Sequence, residues 1–404
     1  MILAQVINEF LEIDGNNIDL IKISKLKGSQ IIKYTSSYFI GSLKKVVYIP
    51  EKYYKHTGFF IRNMMNTVMK NIGMDVLYCN KLFKCFAKWF LSFYKFIEKY
   101  NLPEAYFKEY YYAAFSGFFI LIFGKIKNFK LFDIIIRLWI IVDNIFDYRE
   151  GVNGDRDEFG KRGHIWKKDV YDFFVGGAFM SREKRLDFFR EISRGGPIME
   201  CFKNIEEMKM SEKRKNGLYL RFYKLFKFSY EVGGYGKKVE SSSDNTADFN
   251  ILINTCLKTK KSFDIFFYAI DYQKKKEDAY KILHFSLIVQ LMDDLMDIRK
   301  DKLEGKMTIF TRGGVVENTK NAVRLFQLIQ NSCVIRDNSF QILYECLMFL
   351  IIDFNEEFFE PEFIKKIRRE CSIMDLKYYN MREIDSVVES EIMKKIMRIY
   401  LSSF

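Results

Sequence analysis

Long stretches of this chain run without proline or glycine, and this feature most restricts what the chain can fold into. Only 4 of the 404 residues are proline. From about residue 61 to residue 148 the apolar residues recur with a helical period and few residues interrupt the pattern. An all-β protein needs frequent turns and is therefore excluded. We expect an all-α protein.

The composition predicts a large packed interior. Hydrophobic residues make up 49% of the chain and aromatic residues 17%, with 41 Phe and 25 Tyr, which excludes extensive disorder. The sequence shows no internal repeat and no linker long enough to separate two domains. We therefore expect one large helical domain over residues 61–404, preceded by a helical N-terminal extension over residues 1–60. Lys237 to Asp248 reads as a loop.

The cysteines do not indicate a disulfide-bonded protein, and the apolar segments do not indicate a transmembrane helix. The 7 cysteines have no C-x-x-C spacing, and the 3 histidines are spread out, so a disulfide framework and a His-based metal site are not expected. The most apolar run, 110–124, falls short of the ~20 residues that span a bilayer. A second run, 134–142, contains Arg137. We expect a cytoplasmic protein without a transmembrane segment, with a peripheral membrane contact left open.

The net charge of +13 favours an anionic partner. Three classes fit: nucleic acid, an acidic membrane surface and a phosphorylated small molecule. Lysine runs at 258–261 and 274–276 would serve a non-catalytic protein that binds nucleic acid or membrane. No recognised nucleic-acid motif is present, and the acidic stripes of the chain would repel phosphate unless metal intervened. We therefore expect no nucleic-acid partner and keep the non-catalytic class as an alternative.

Two acidic motifs each close an apolar helix. Asp143 and Asp147 lie four residues apart, so on a helix their directions differ by only about 40°. Asp293, Asp297 and Asp301 continue this spacing over three positions and form one stripe. Asp294 points about 100° away from Asp293, which favours an outward or supporting role.

Carboxylates that share one face at the mouth of a buried helix repel each other unless a cation lies between them. Hard oxygen ligands of this kind suit Mg²⁺ or Mn²⁺. A single such motif is more often a solvated helix face, and Arg299 and Lys300 could neutralise the second stripe. Two motifs separated by 150 residues favour a site that binds metal and an anion.

The paired motifs resemble the class I isoprenoid synthase superfamily, which includes trans-prenyl diphosphate synthases, squalene and phytoene synthases, and class I terpene cyclases. In that family an antiparallel all-α bundle surrounds a central apolar cavity, and two Asp-rich motifs on facing helices hold Mg²⁺ ions that bind a prenyl diphosphate. Asp143–Asp147 is similar to the first motif, with Asn144 at its second Asp, and Asp293–Asp297 is similar to the second. The resemblance covers about residues 110–400 and implies three Mg²⁺ ions, with Mn²⁺ possible.

The resemblance also assigns roles to individual residues. It implies catalysis and metal binding by Asp143, Asp147, Asp293 and Asp297, with Asp301 as a further metal ligand. Lys258, which precedes Thr259, and Lys306, which follows Gly305, match basic positions that bind diphosphate, and Arg299 is a third candidate. Aromatic side chains near the motifs are expected to line the cavity and stabilise carbocations, although ordinary core packing is the favoured interpretation for any single one of them: Phe115, Phe119, Trp139, Phe146, Phe263 and Phe267.

One departure from the family bears on the reaction. Chain-elongating synthases carry a G-K-R-x-R-P segment about 45 residues before the first motif, and here that region reads Glu98-Lys-Tyr-Asn-Leu-Pro103. Without a second diphosphate site, a single substrate that ionises alone is expected, as in a terpene cyclase, which is a carbon–oxygen lyase. A prenyltransferase of the elongating or squalene/phytoene type is the alternative. The substrate chain length (C10 to C35), the product skeleton and a possible homodimer stay open.

Overall fold

The computed structural model describes most of the chain. The described residues are 1–21, 49–71, 75–103, 106–107, 109–110, 125–147, 174, 179–181, 183–185, 187, 196–233, 244–270, 278–303, 305–332, 341–373 and 390–404. Within them every regular element is helical and no strand occurs, which confirms the all-α prediction. No helix in these ranges is long and apolar enough to cross a membrane.

The described ranges contain fourteen α-helices, which are numbered in chain order. They are α1 (Ile2–Glu12), α2 (Tyr54–Asn71), α3 (Val76–Tyr100), α4 (Phe129–Asp147), α5 (Gly196–Glu207), α6 (Glu212–Gly233), α7 (Asp244–Ile270), α8 (Asp278–Met296), α9 (Ile298–Leu303), α10 (Ile309–Arg312), α11 (Val315–Asn331), α12 (Gln341–Phe354), α13 (Pro361–Ile373) and α14 (Ser390–Leu401). Short 3₁₀ turns cover Ile18–Leu20, Glu51–Tyr53 and Glu356–Phe358.

The chain divides into two compact units. The first comprises Met1–Lys88, Ser241–Thr259 and Lys274–Phe404, and the second comprises Trp89–Glu240 and Lys260–Gln273. The divisions fall inside α3 and inside α7, so each of these helices contributes to both units.

Helix α8 is the centre of the first unit. Its residues from Ile282 to Ile288 are all buried, because α1, α11 and α12 pack around it. A helix that is apolar on every side is stable only in such surroundings. His284 lies in this interior, where burial lowers its pKa and its ring stacks on Tyr280, as expected for a structural histidine.

The second unit is built from α4, which packs against α5, and from aromatic clusters on α3 and α6. The apolar run 134–142 lies inside α4 and is buried, as expected. Its one charge, Arg137, is 8% exposed and binds Asp133 one turn earlier through Nε–Oδ1 and Nη2–Oδ2 contacts, both at 2.9 Å. The pairing explains how a charged residue is accommodated within an apolar helix.

The helical region predicted from 61 to 148 is broken between α2 and α3, after α3, and at residues 125–128 before α4, and the periodicity revealed none of these breaks. Helix α2 ends at Asn71, and α3 ends at Tyr100. After α3, Asn101 adopts a positive φ of 48°, and the Leu102 N–H donates to the Ile97 carbonyl at 3.1 Å. This is the left-handed helix stop that asparagine tolerates better than other non-glycine residues. In the predicted loop 237–248, α7 already begins at Asp244.

Candidate functional site

The second acidic motif lies where α8 passes into α9. Asp297 occupies a turn between the two helices, but its N–H donates to the Asp293 carbonyl at 2.9 Å and its carbonyl accepts from the Asp301 N–H at 2.8 Å. The helical register therefore continues through the turn, and the four-residue spacing keeps the three carboxylates on one side.

The turn that ends α9 places Lys306 beside the acidic stripe. Gly305 adopts φ of 63°, a conformation that side chains rarely tolerate, and its N–H donates to the Lys302 carbonyl at 3.3 Å. The next N–H, of Lys306, donates to the Asp301 carbonyl at 2.9 Å, which completes a Schellman stop. As a result the Lys306 Nζ lies 3.7 Å from Oδ1 of Asp301, which is itself buried.

Gln290 organises the other end of the stripe. Its Nε2 donates to Oδ2 of Asp293 at 2.9 Å and to Oδ1 of Asp294 at 3.0 Å. Its Oε1 accepts a hydrogen bond from the hydroxyl of Thr259 on α7. Because the hydroxyl donates to Oε1, the amide can only present its NH₂ group to the two carboxyl groups.

Asp294 is buried rather than outward-facing. Its side chain is 7% exposed, and its Oδ2 is buried and has no hydrogen-bond partner. Burial raises the pKa of Asp294 to about 8, with the charges of Asp293 and Asp301 adding to the rise and the Gln290 hydrogen bond opposing it. A buried carboxyl group in these surroundings is stable as the neutral acid at pH 7.

Asp293 differs from its neighbour because solvent reaches its side chain. Desolvation by surrounding protein atoms nevertheless raises the pKa of Asp293, and the charge of Asp297 raises it further. Lys258 and the Gln290 hydrogen bond act in the opposite direction. The charges of Asp297 and Asp301 therefore act on Asp293 at close range, and neighbouring carboxylates of this kind favour a bound cation.

Lys258 and Thr259 of helix α7 lie beside the acidic cluster, which consists of Asp293, Asp294, Asp297 and Asp301. The Cys256 thiol on the same helix donates to the Leu283 carbonyl of α8, and Asp248 near the start of α7 accepts from Arg312 of α10 at 2.6 Å. These contacts fix α7 beside α8, so that the buried Thr259 reaches Gln290. The charge of Lys258 acts on both Asp293 and Asp294.

The cluster fits a divalent cation in chemistry but not in ligand number. Carboxylate oxygens are the donors that Mg²⁺ prefers. Within the described ranges, however, no three His, Cys, Asp or Glu side chains are placed so that they could hold one metal ion together. The described carboxylates would therefore need oxygens from a ligand, from water or from another part of the chain to complete a Mg²⁺ shell.

Arg299 is not brought to the stripe. Its guanidinium binds the carboxylate of Glu357 through Nε and Nη2, and Nη2 also donates to the Phe354 carbonyl at 2.8 Å. The same group lies 4.7 Å from the centre of the Phe354 ring. These contacts hold α9 to the end of α12, which favours a structural role for Arg299 over the predicted diphosphate contact.

The first motif can be placed only in part. The backbone of Asp143 and Asp147 lies in the last turns of α4, as the spacing predicted, but their side chains lie outside the described residues. The pairing of the two motifs therefore stays a prediction.

The predicted cavity residues are likewise placed in part. Phe115 and Phe119, and the side chain of Phe146, lie outside the described residues. In the second unit Trp139 lies 5.9 Å from the ring of Phe266, and the buried rings of Phe263 and Phe267 lie 6.3 Å apart. Such contacts are what ordinary core packing produces, and they neither require nor exclude a cavity wall.

Two residues of the cluster carry more weight than the sequence indicated. Gln290 was not a candidate, and Asp294 was given an outward or supporting role. The position of Gln290, three and four residues before the acid pair, was the available signal.

A surface groove of about 450 Å³ lies apart from the cluster, lined by Tyr54, Lys394 and Arg398 among others.

Comparisons with protein-family models, with curated proteins and with solved structures found no match to this chain. The residues of the cluster are therefore the basis for any functional statement.

Proposed function

We propose that this chain is a metal-dependent enzyme that binds a prenyl diphosphate at the α8–α9 acidic cluster and ionises it, in the manner of a class I terpene synthase. The observation that carries the proposal is the solvent-exposed carboxylate of Asp293, which the Gln290 amide orients and which lies with Asp297 in a stripe flanked by Lys258 and Lys306. Carboxylates beside lysines at one helix end suit a ligand that combines a divalent cation with a polyanion.

The individual residues support distinct parts of this reaction. Asp293 and Asp297 are exposed or half-buried, so they are the members of the stripe that a cation can reach. Lys258 and Lys306 lie at opposite ends of the stripe and would bind diphosphate oxygens. Gln290 and Thr259 hold the orientation of the acid pair. Mg²⁺, when bound, would neutralise the diphosphate so that it can leave.

The first test measures cation binding without relying on turnover. Thermal unfolding is followed at pH 8 while Mg²⁺ is added in the presence of inorganic diphosphate. We expect Mg²⁺ to raise the melting temperature of the wild type, because a ligand that binds only the folded state stabilises it. The double variant Asp293→Ala, Asp297→Ala should lose this rise, whereas Glu362→Gln, which alters an exposed acid on α13, should keep it.

The second test measures the reaction. Prenyl diphosphates from C10 to C25 are incubated with enzyme and Mg²⁺, and hydrocarbons, alcohols and released diphosphate are analysed by gas chromatography and a phosphate assay. A terpene synthase forms products from one substrate alone. Products that require added isopentenyl diphosphate would instead assign chain elongation, and full activity in the Asp293→Ala, Asp297→Ala variant would remove the cluster from the reaction.

A further inference from the structure

A strongly basic segment runs from Lys52 to Ile97, and the proposed reaction does not use it. The segment contains eight lysine or arginine residues and a single acid, Asp75, so it supplies +7 of the chain's net +13. Asp75 accepts a hydrogen bond from the Tyr78 N–H at 3.2 Å at the start of α3, where it caps the helix. An imbalance of this size creates a positive field at the surface that bears it.

Part of this charge forms a stripe on α3. Leu77, Lys81, Lys84 and Lys88 follow one another at intervals of four, three and four residues, which places them on one helix face. The Leu77 side chain is 82% exposed, and Lys81 and Lys88 are exposed as well. The stripe therefore combines an aliphatic side chain with three cations at the protein surface.

Exposed aromatic rings adjoin the lysine stripe. The Lys84 Nζ lies 4.6 Å from the centre of the Phe404 ring, and the Arg62 guanidinium of α2 lies 5.0 Å from the same ring and 5.0 Å from that of Phe59. Arg62 also donates to the Ser403 carbonyl at 2.6 Å, which fixes the guanidinium between the two rings. Phe59 and Phe404 are 40% and 44% exposed.

These residues form one surface of the first unit, which we name the basic–aromatic face. It consists of Phe59, Arg62, Leu77, Lys81, Lys84, Lys88 and Phe404. Exposed apolar side chains that are grouped with cations on one surface mark a candidate interaction site.

We propose that the basic–aromatic face binds the surface of an anionic membrane. Lysines near a negatively charged leaflet contribute about 1 kcal/mol each, and apolar side chains add affinity when they enter the boundary between headgroups and acyl chains. The stripe offers both contributions, because Leu77 and the two phenylalanines lie beside the lysines. Membrane association of this kind is reversible and needs no spanning helix.

The contacts favour a membrane over a nucleic acid as the partner. Proteins that bind single-stranded nucleic acid stack bases on the faces of aromatic rings. Here cations already lie over the Phe59 and Phe404 rings, and Leu77 has no ring face to offer. Insertion into lipid, in contrast, needs only apolar side chains beside cations, and leucine serves this purpose as well as phenylalanine does.

The test is sedimentation of the full chain with phosphatidylcholine vesicles, with and without phosphatidylserine. We expect binding to the vesicles that contain phosphatidylserine and a steep loss of binding as salt rises. The triple variant Lys81→Glu, Lys84→Glu, Lys88→Glu should weaken this binding about 100-fold or more, because three attractive contacts become repulsive. Leu77→Gln should weaken it about 3- to 10-fold.

The matched control reverses the charge of three exposed lysines that do not belong to the basic–aromatic face. Lys203, Lys209 and Lys213 are exposed lysines of the second unit, and their replacement by glutamate should leave most of the binding intact. Thermal unfolding checks that every variant is folded.

Three results would overturn the proposal. The first is failure of the wild type to sediment with the anionic vesicles, and the second is a loss of binding in the control triple variant as severe as in the stripe variant. Binding to a single-stranded oligonucleotide that depends on the same lysines, without binding to vesicles, would assign the face to nucleic acid instead.

Discussion

The buried carboxyl group of Asp294 makes protein stability depend on pH, and its replacement by asparagine should remove that dependence. An asparagine side chain has nearly the same shape, and its oxygen can keep accepting from Nε2 of Gln290. The position of Oδ2 has no hydrogen-bond partner in the protein. A neutral acid and an amide each place an unpaired donor there, so the two side chains are matched in this respect.

The magnitude follows from the shift in pKa. Asp294 titrates near 3.8 in the unfolded chain and at about 8 in the folded protein. Between these values the folded state holds a proton that the unfolded state has lost, so the free energy of unfolding falls as pH rises, by about 1.4 kcal/mol per pH unit. The stability associated with the neutral acid is complete below about pH 4 and has fallen by about 5 kcal/mol at pH 8.

The assay is urea unfolding of wild type and Asp294→Asn at several values between pH 5 and pH 8, without divalent metal. The contribution of His284 is present in both proteins, so the difference between the two curves reports the titration of Asp294 together with its coupling to Asp293. We expect the variant to gain stability relative to the wild type by about 1 kcal/mol or more per pH unit. Parallel curves for the two proteins across this range would refute the reasoning.

Two further changes test contacts elsewhere in the protein. Arg137→Ala should lower the free energy of unfolding by about 3–5 kcal/mol, because it leaves the buried Asp133 carboxylate without its cation and with only the Tyr110 hydroxyl donating to it. Urea unfolding measures the loss, and an effect below about 1 kcal/mol would contradict a buried ion pair. Arg299→Lys should lower the melting temperature by a few degrees, since lysine cannot reproduce the two contacts to Glu357, yet it should leave diphosphate release unchanged; a large loss of release at unchanged stability would restore Arg299 to the diphosphate site.

Local rules were sufficient to predict the class of fold and the position of the acidic stripe. The scarcity of proline and the helical period predicted an all-α chain, because those signals depend only on residues a few positions apart, but they did not locate the breaks between α2, α3 and α4. The same applies to Asp293, Asp297 and Asp301, which share a side because four residues make about one helical turn. Gly305 was noted beside Lys306, and its left-handed conformation explains why the lysine returns to Asp301.

Contacts between distant residues decided the rest. Whether Asp294 faces solvent or the interior depends on how α7 and α8 pack, and only that packing brings Thr259 to Gln290. Arg299 and the stripe are neighbours in sequence, but the direction of its guanidinium is set by Glu357, 58 residues away. The sequence by itself determined the helical class of the fold and which carboxylates of the acidic stripe share a face. The tertiary structure decided which of those faces is desolvated, because burial and the pKa shifts that follow from it depend on neighbours that no local pattern specifies.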